Sequence, residues 1–192
     1  MPEADLADGA TSTVFTLGHG TRTTNELVRL ARSGGAHTIV DIRRFPGSKR
    51  NPHLAREALV ESLPEHGLAY VWKGEELGGR RSRAKGDSRH PAWRNNAFRA
   101  YADHMETDAF NEGLEDVVQQ CQSGRSPALM CAETVWWRCH RRLVADALVV
   151  RGIRVIHLID EKTSHEHTLH EAARVEPDGS IVYDVGVDRE IL

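Results

Sequence analysis

A chain of 192 residues with 40% hydrophobic and 28% charged side chains has the material for one sizeable buried core, and this composition excludes a disordered or fibrous chain. A formal net charge of −3 excludes a global field that would draw the molecule to nucleic acid or an anionic membrane, and no apolar run approaches the roughly 20 residues of a membrane span. The start, Met1-Pro2-Glu3-Ala4-Asp5, lacks the basic-then-apolar order of a signal peptide, and three cysteines make no disulfide framework, so the expected compartment is the reducing cytoplasm.

Residues 1–12 are small, polar and acidic and are expected to form a flexible leader, which leaves 13–192 as a single α/β domain. Val14–Leu17 predicts a first strand running into Gly18-His19-Gly20-Thr21-Arg22, and Thr23 or Thr24 caps a helix with Leu27, Val28, Leu30 and Ala31 on its apolar face. Gly34-Gly35 ends that helix, and His37–Ile42 predicts a strand leading to Arg43-Arg44-Phe45-Pro46-Gly47. A helix over Leu54–His66 stops at Gly67, and Leu68–Trp72 predicts a third strand. The stretch from Gly78 to Pro91 is polar and basic and reads as a long loop, followed by helical periodicity at Trp93–Met105 and Phe110–Gln122. A strand at 127–131, a helix at 138–150 and a strand at Arg154–Leu158 follow, and Glu176-Pro177-Asp178-Gly179-Ser180 marks a turn before a short strand. Strands alternating with helices predict a three-layer, Rossmann-like α/β sandwich with a mostly parallel sheet.

Three predicted strands end in unusual polar sequences: Gly18-His19-Gly20-Thr21-Arg22, Asp41-Ile42-Arg43-Arg44 and Cys131-Ala132-Glu133. In a parallel sheet such ends share one edge, where ligands of α/β proteins bind. Alternatively, each is simply a polar loop. Gly18, Gly20 and Thr21 resemble a tight loop whose backbone N–H groups approach an anion, although the spacing matches no established phosphate fingerprint. Arg22, Arg43, Arg44 and Arg141 supply forked donors for phosphate or carboxylate unless they serve as surface or ion-pairing arginines. On this reading Arg43→Ala weakens anion binding and leaves the fold intact. Asp41 is expected to orient Arg43 or His19 in preference to acting as a base.

The richest stretch is Met130–Arg142, with Cys131, Glu133, Cys139, His140 and Arg141 around one strand-to-helix turn. Cys139, placed in the first turn of the predicted helix and flanked by Arg138, His140 and Arg141, is the nucleophile candidate, because the helix dipole and these cations favour thiolate. Cys131 is its partner or second thiol. The competing reading makes both buried structural cysteines. Glu133 and His140 or His19 are the acid–base candidates. A metal held by Cys131, Cys139, His140 and either His19 or Glu133 lacks paired ligand spacing, and adjacent residues of one helix point apart, so no metal is assigned. Arg80, Arg81, Arg83, Lys85, Arg89 and Arg94, with His90 and Trp93, form a local basic patch that either tracks a nucleic-acid backbone and stacks a base or forms a solvated loop over the site. His165, His167 and His170 read as a solvated segment.

Taken together, the motifs resemble the bacterial and archaeal domain of unknown function 488 family. The resemblance rests on Thr16–Thr21, Val40–Ser48, Leu77-Gly78-Gly79, Phe98–Ala102, Ala128–Glu133 and Cys139-His140-Arg141, across about residues 14–160. That family usually reads Gly-His-Ser in the first loop, where this chain has Gly20 and so lacks a hydroxyl nucleophile there. Trp136-Trp137 stands where the family often has a proline. The resemblance implies an α/β sandwich with these motifs around a common pocket, and no established activity.

The expectation is therefore an enzyme, a hydrolase or transferase, acting on an anionic, phosphate-bearing substrate such as a nucleotide or nucleic-acid component. Two other classes compete with it: a non-catalytic nucleic-acid-binding module using the 80–94 loop, and a thiol redox or metal-binding protein built on Cys131 and Cys139. The sequence specifies no cofactor and no oligomeric state.

Overall fold

Alternation with period two sorts the strand side chains onto the two faces of one sheet. The computed structural model describes residues 12–47, 49–82 and 87–187; the expected leader up to residue 11, together with Ser48, Arg83 and Lys85, lies outside the described residues. Five strands run parallel: β1 (Thr13–Gly18), β2 (Thr38–Asp41), β3 (Ala69–Trp72), β4 (Pro127–Cys131) and β5 (Arg154–Leu158). A short β6 (Ser164–Glu166) adds antiparallel to β5, and the order across the sheet is β3-β2-β4-β1-β5-β6. The layering is that of a doubly wound α/β protein. The order differs from the 3-2-1-4-5-6 of dinucleotide-binding sheets, because β4 inserts between β2 and β1.

That insertion positions the site. Gly18 pairs with Cys131 and Asp41 with Met130, so the carboxyl ends of β1, β4 and β2 lie side by side. Phe15, Leu17, Ile39, Ala128 and Met130 face α1 (Thr24–Ser33) and α2 (Arg56–Glu65), while Val14, Val40, Leu129 and Val155 face α5 (Asp108–Gln122) and α6 (Arg141–Val150). The short α3 (Gly74–Leu77), α4 (Asn96–Met105) and a hairpin of β7 (Ala173–Val175) and β8 (Ile181–Tyr183) contribute to the second side.

Local chemistry fixes the helix ends. Thr23 and Glu26 form a reciprocal capping box at the start of α1. The helix expected from 54 breaks instead into a 3₁₀ turn at Pro52–Leu54, an extended Ala55 and α2 from Arg56. The helix expected from 93 begins at Asn96, because the Asn95 side chain accepts from the Ala97 N–H. The largest correction concerns 138–150. Trp136–Arg138 is a 3₁₀ turn, Cys139 is extended (φ −121°, ψ 149°), and α6 starts only at Arg141. Trp136 lies flat on His157, with ring centroids 4.0 Å apart and planes within 8°, and this stacking holds the residues before Cys139 on β5, away from the axis of α6.

Candidate active site at the carboxyl ends of β1, β4 and β2

A cleft of about 320 Å³ opens above the ends of β2 and β4, within the range of small-molecule sites. Cys131, Cys139 and His140 line it together with Glu133, Arg44, Arg80 and Arg138, and Phe45, Phe98 and Tyr101 supply aromatic walls. The Phe45 ring is 63% exposed, an aromatic edge held in solvent beside the arginines.

Cys131 closes β4, and Cys139 reaches the same point from the far end of the turn. The His140 Nδ1 atom lies 3.6 Å from Cys139 Sγ and 4.0 Å from Cys131 Sγ. The other ring nitrogen, Nε2, is 3.2 Å from the Ile42 carbonyl. A carbonyl only accepts, so Nε2 carries a proton, and this bond directs Nδ1 toward the sulfurs. Tyr101 packs on the same ring at 5.0 Å and anchors its own hydroxyl on the Leu77 carbonyl at 2.6 Å. A Cβ on Gly79 would lie 2.7 Å from Nδ1, so a residue without a side chain keeps that nitrogen uncovered.

Both cysteines are buried and both thiols are free. Burial opposes ionisation of Cys139, yet the Cys131 thiol donating to it, with His140 and Arg141 nearby, holds its pKa well below the ordinary thiol value. Cys131 moves the opposite way: donation to Cys139 and burial keep its own proton on. Because Cys139 precedes the helix, its sulfur and the adjacent His140 ring converge, and the expectation that the two diverge is corrected.

The other predicted residues brace this point, and of these Arg43 also reaches the lining of the cleft. Asp41, wholly buried, accepts from Arg43 Nε at 2.8 Å, Arg43 Nη2 at 2.5 Å and the Tyr70 hydroxyl at 2.7 Å. Arg43 Nη1 also donates to the Leu54 carbonyl at 2.8 Å and to His19 Nε2 at 3.0 Å. With most of its donors engaged, Arg43 braces β2 to the neighbouring turn. On this geometry Arg43→Ala strands a buried carboxylate, so the variant is expected to lose stability as well as binding. His19 sends its other nitrogen to the Gly20 carbonyl at 2.9 Å, and burial with the Arg43 charge depresses its pKa to about 4. The ring is neutral near pH 7 and braced on both sides.

The first loop differs from the anion cradle read in its sequence. The N–H groups of His19 and Gly20 donate to the Cys131 and Ala132 carbonyls at 2.9 and 3.0 Å, and that of Arg22 to His19. The first two amides extend the β1–β4 pairing and the third closes a local turn, so all three are spent within the protein. Gly18 is required by that closeness, since a Cβ there would meet the Glu133 carbonyl at 2.1 Å. Gly20 has φ +52°, a left-handed conformation that glycine adopts freely. Thr21 and Arg22 lie away from the lining of the cleft, and Arg22 spans the Gly18 and Ile159 carbonyls. Arg141 is buried and donates to the Glu133 and Thr134 carbonyls, holding the turn from beneath.

The basic patch also divides. Arg80 reaches the cleft with φ 56°, a strained conformation for a non-glycine residue, and its carbonyl accepts from Arg44 at 3.0 Å. Arg89 pairs with Glu106 and Glu176. Trp93 and His90 are buried, so Trp93 is corrected from a base-stacking platform to a core residue.

Sequence reasoning missed a second polar cluster. Thr16 Oγ1 lies 2.6 Å from His157 Nδ1, His157 Nε2 lies 2.9 Å from His167 Nδ1, and His167 Nε2 lies 2.8 Å from Asp146 Oδ1. Asp146 also accepts from the Tyr183 hydroxyl at 2.8 Å and the His170 N–H at 2.9 Å. His167, expected in a solvated segment, is buried, because the β5–β6 hairpin folds the chain back and His167 N–H donates to the Val155 carbonyl. Only Tyr183 on the terminal strand and an aspartate inside an apolar helix face hinted at it.

Among the described residues no helix is long and apolar enough to cross a membrane. No curated protein and no solved structure matches the chain. A family model described as Domain of unknown function DUF488 matches residues 23–148, which includes the whole Cys-His-Arg run and leaves β1 and the His19 loop outside the match. The match covers more than half of the sequence, and the chain belongs to this family.

Proposed function

We propose that this protein is a cytoplasmic enzyme, a hydrolase or transferase, that acts on an anionic, phosphate-bearing substrate in the cleft, with Cys139 as nucleophile and His140 as its proton partner. The observation that carries this reading is the 3.6 Å approach of His140 Nδ1 to Cys139 Sγ at the floor of an arginine-rimmed cleft, with the ring oriented by the Ile42 carbonyl. Nucleophile, base and orienting group in sequence define an activated thiol.

The Cys139 thiolate attacks the electrophilic centre, a bond from sulfur forms, and the bond to the leaving group breaks. The proton that Cys139 gives up to His140 Nδ1 as it becomes the thiolate then passes to that leaving group. In a hydrolase, water then attacks the thioester or thiophosphoryl bond and returns a proton to His140. In a transferase, a second acceptor takes the place of water. Arg44, Arg80 and Arg138 bind the anion, and Phe45, Phe98 and Tyr101 suit a planar ring attached to it, as in a nucleotide. Glu133, exposed on the lining, is a second acid–base group for the outgoing or incoming atom. Arg43, Asp41, His19 and Arg141 are positioning residues. Three free thiols fit the reducing compartment.

Alkylation by iodoacetamide across pH, resolved by site in a mass spectrometer, tests this assignment. Cys139 is expected to label fastest and to keep its rate well below the ordinary thiol pKa of about 8.5. A Cys139 no faster than an unfolded thiol at neutral pH would sink the nucleophile role.

A further inference from the structure

We propose that Cys131, Cys139 and His140 also form a binding site for one soft divalent metal ion of the zinc class, and that occupancy of this site silences the Cys139 nucleophile. The inference rests on the reading of Cys139 given above and adds a ligand and a mode of control to it.

The geometry is the first support. A tetrahedral zinc with Zn–S near 2.3 Å and Zn–N near 2.0–2.1 Å sets its donor atoms about 3.5–3.8 Å apart. Here the sulfur-to-nitrogen separations are 3.6 and 4.0 Å, and all three donor atoms lie within 4.8 Å of one another. Shifts of a few tenths of an ångström would bring both sulfur-to-nitrogen separations to that range.

The surroundings are the second. Ligand histidines as a rule donate their outer N–H to a carbonyl or carboxylate, which fixes the tautomer that coordinates. His140 is paired in this way with Ile42, and Gly79 leaves the coordinating nitrogen open. The Glu133 amide donates to the Cys131 sulfur, a contact that steadies a thiolate ligand.

Chemistry is the third. Two thiolates and one imidazole select soft or borderline ions over magnesium or calcium, and their summed charge cancels that of a divalent ion. All three ligands line the cleft, so the fourth position faces it and remains for water or an anion. Binding displaces two protons to solvent, the thiol proton of Cys131 and the one shared by Cys139 and His140, and no electron transfer is involved. His19 is no ligand, since both of its nitrogens are engaged with Arg43 and Gly20.

The test uses the full chain, reduced with a phosphine and stripped of metal, titrated with Co²⁺ and then Zn²⁺. One equivalent of Co²⁺ is expected to give a thiolate-to-cobalt charge-transfer band and the strong visible bands of a tetrahedral ion. Zn²⁺ should bleach both and slow Cys139 alkylation at least tenfold. Cys131→Ser and His140→Ala should abolish the bands. Gly79→Ala, which keeps every ligand but crowds Nδ1, should weaken Co²⁺ binding by about 10–100-fold, the usual cost of disturbing a ligand's support.

Absent bands, or bands unchanged in Cys131→Ser and His140→Ala, overturn the metal site. The two proposals fail separately. Fast Cys139 alkylation without cobalt bands leaves the nucleophile and removes the metal. Cobalt bands with an inert Cys139 in metal-free protein leave a metal centre and remove the nucleophile, along with its control.

Discussion

Two histidine clusters meet at the turn that carries Cys139, and they use their ring nitrogens differently. In the buried relay each of the four nitrogens of His157 and His167 has a hydrogen-bond partner at 2.6–2.9 Å, and the row ends on an aspartate that accepts from three donors. In the cleft, His140 spends one nitrogen on a carbonyl and turns the other toward two sulfurs beside open space. A saturated network inside the protein specifies and rigidifies a core, whereas a partly saturated one on a cleft keeps capacity for a ligand. The two are joined, because Trp136 stacks on His157 and its carbonyl accepts from the Cys139 N–H at 3.1 Å. The relay holds the turn, and the turn presents the thiol.

The sharpest way to break this contrast is to damage the relay. Asp146→Ala leaves three donors without their acceptor, two of them buried, and the expected loss is about 3–5 kcal/mol in urea unfolding. Cys139→Ser should cost under about 1 kcal/mol in the same experiment while ending alkylation at that position. A relay variant that unfolds no more easily than the cleft variant would show that the relay is no scaffold.

Arg43→Ala tests whether the boundary between support and site is drawn correctly. Its partner Asp41 is wholly buried, so the variant should lose about 3 kcal/mol or more. Arg43→Ala combined with Asp41→Asn removes the stranded charge and should recover part of that loss. An Arg43→Ala protein of full stability but weakened anion binding would return Arg43 to the substrate-binding set.

The fold was legible because its signals are local. Short continuous apolar runs marked β1, β2 and β4, and a threonine cap marked α1. Convergence of the three strand ends followed from parallel pairing. The roles within the site were less legible, since they depend on contacts distant in sequence. That Arg43 is engaged by Asp41, His19 and Leu54 while Arg138 stays exposed on the cleft is a matter of register and burial. The start of α6 lies three residues later than its periodicity predicts for a similar reason. Helical periodicity runs through 138–150, but the Trp136 ring is captured by a histidine on β5, a contact with no trace in local pattern. The relay stayed hidden because His157, His167, Asp146 and Tyr183 lie in four separate segments.

Acid should distinguish the relay from the His19 brace without mutation. Burial, with Arg43 beside it, lowers the pKa of His19 from 6.5 to about 4. Burial, with His167 beside it, lowers that of His157 from 6.5 to about 2. Between these values and 6.5 the unfolded chain binds protons that the folded chain refuses. Stability is then complete above about pH 6.5 and declines as pH falls, by about 1.4 kcal/mol per pH unit for each histidine. The His19 contribution levels off near pH 4, and that of His157 continues toward about pH 2. His157→Gln should flatten the decline between pH 6 and 4 relative to the parent. An unchanged slope would mean that His157 is not held neutral.

The smallest effect on stability belongs to the rim. Arg138 is exposed on the cleft, and Arg138→Ala should change unfolding by less than about 0.5 kcal/mol. Its consequence lies in binding, because a charge-assisted hydrogen bond to an anion contributes about 1.5–3 kcal/mol. Inorganic phosphate, or a nucleoside monophosphate, should therefore bind Arg138→Ala about tenfold more weakly in calorimetry. High salt should erase most of the difference by screening the exposed charge. If Arg138→Ala and Arg44→Ala both bind the anion as the parent does, the cleft is not an anion site. In that case the aromatic walls and the thiol pair would have to be explained by an uncharged ligand.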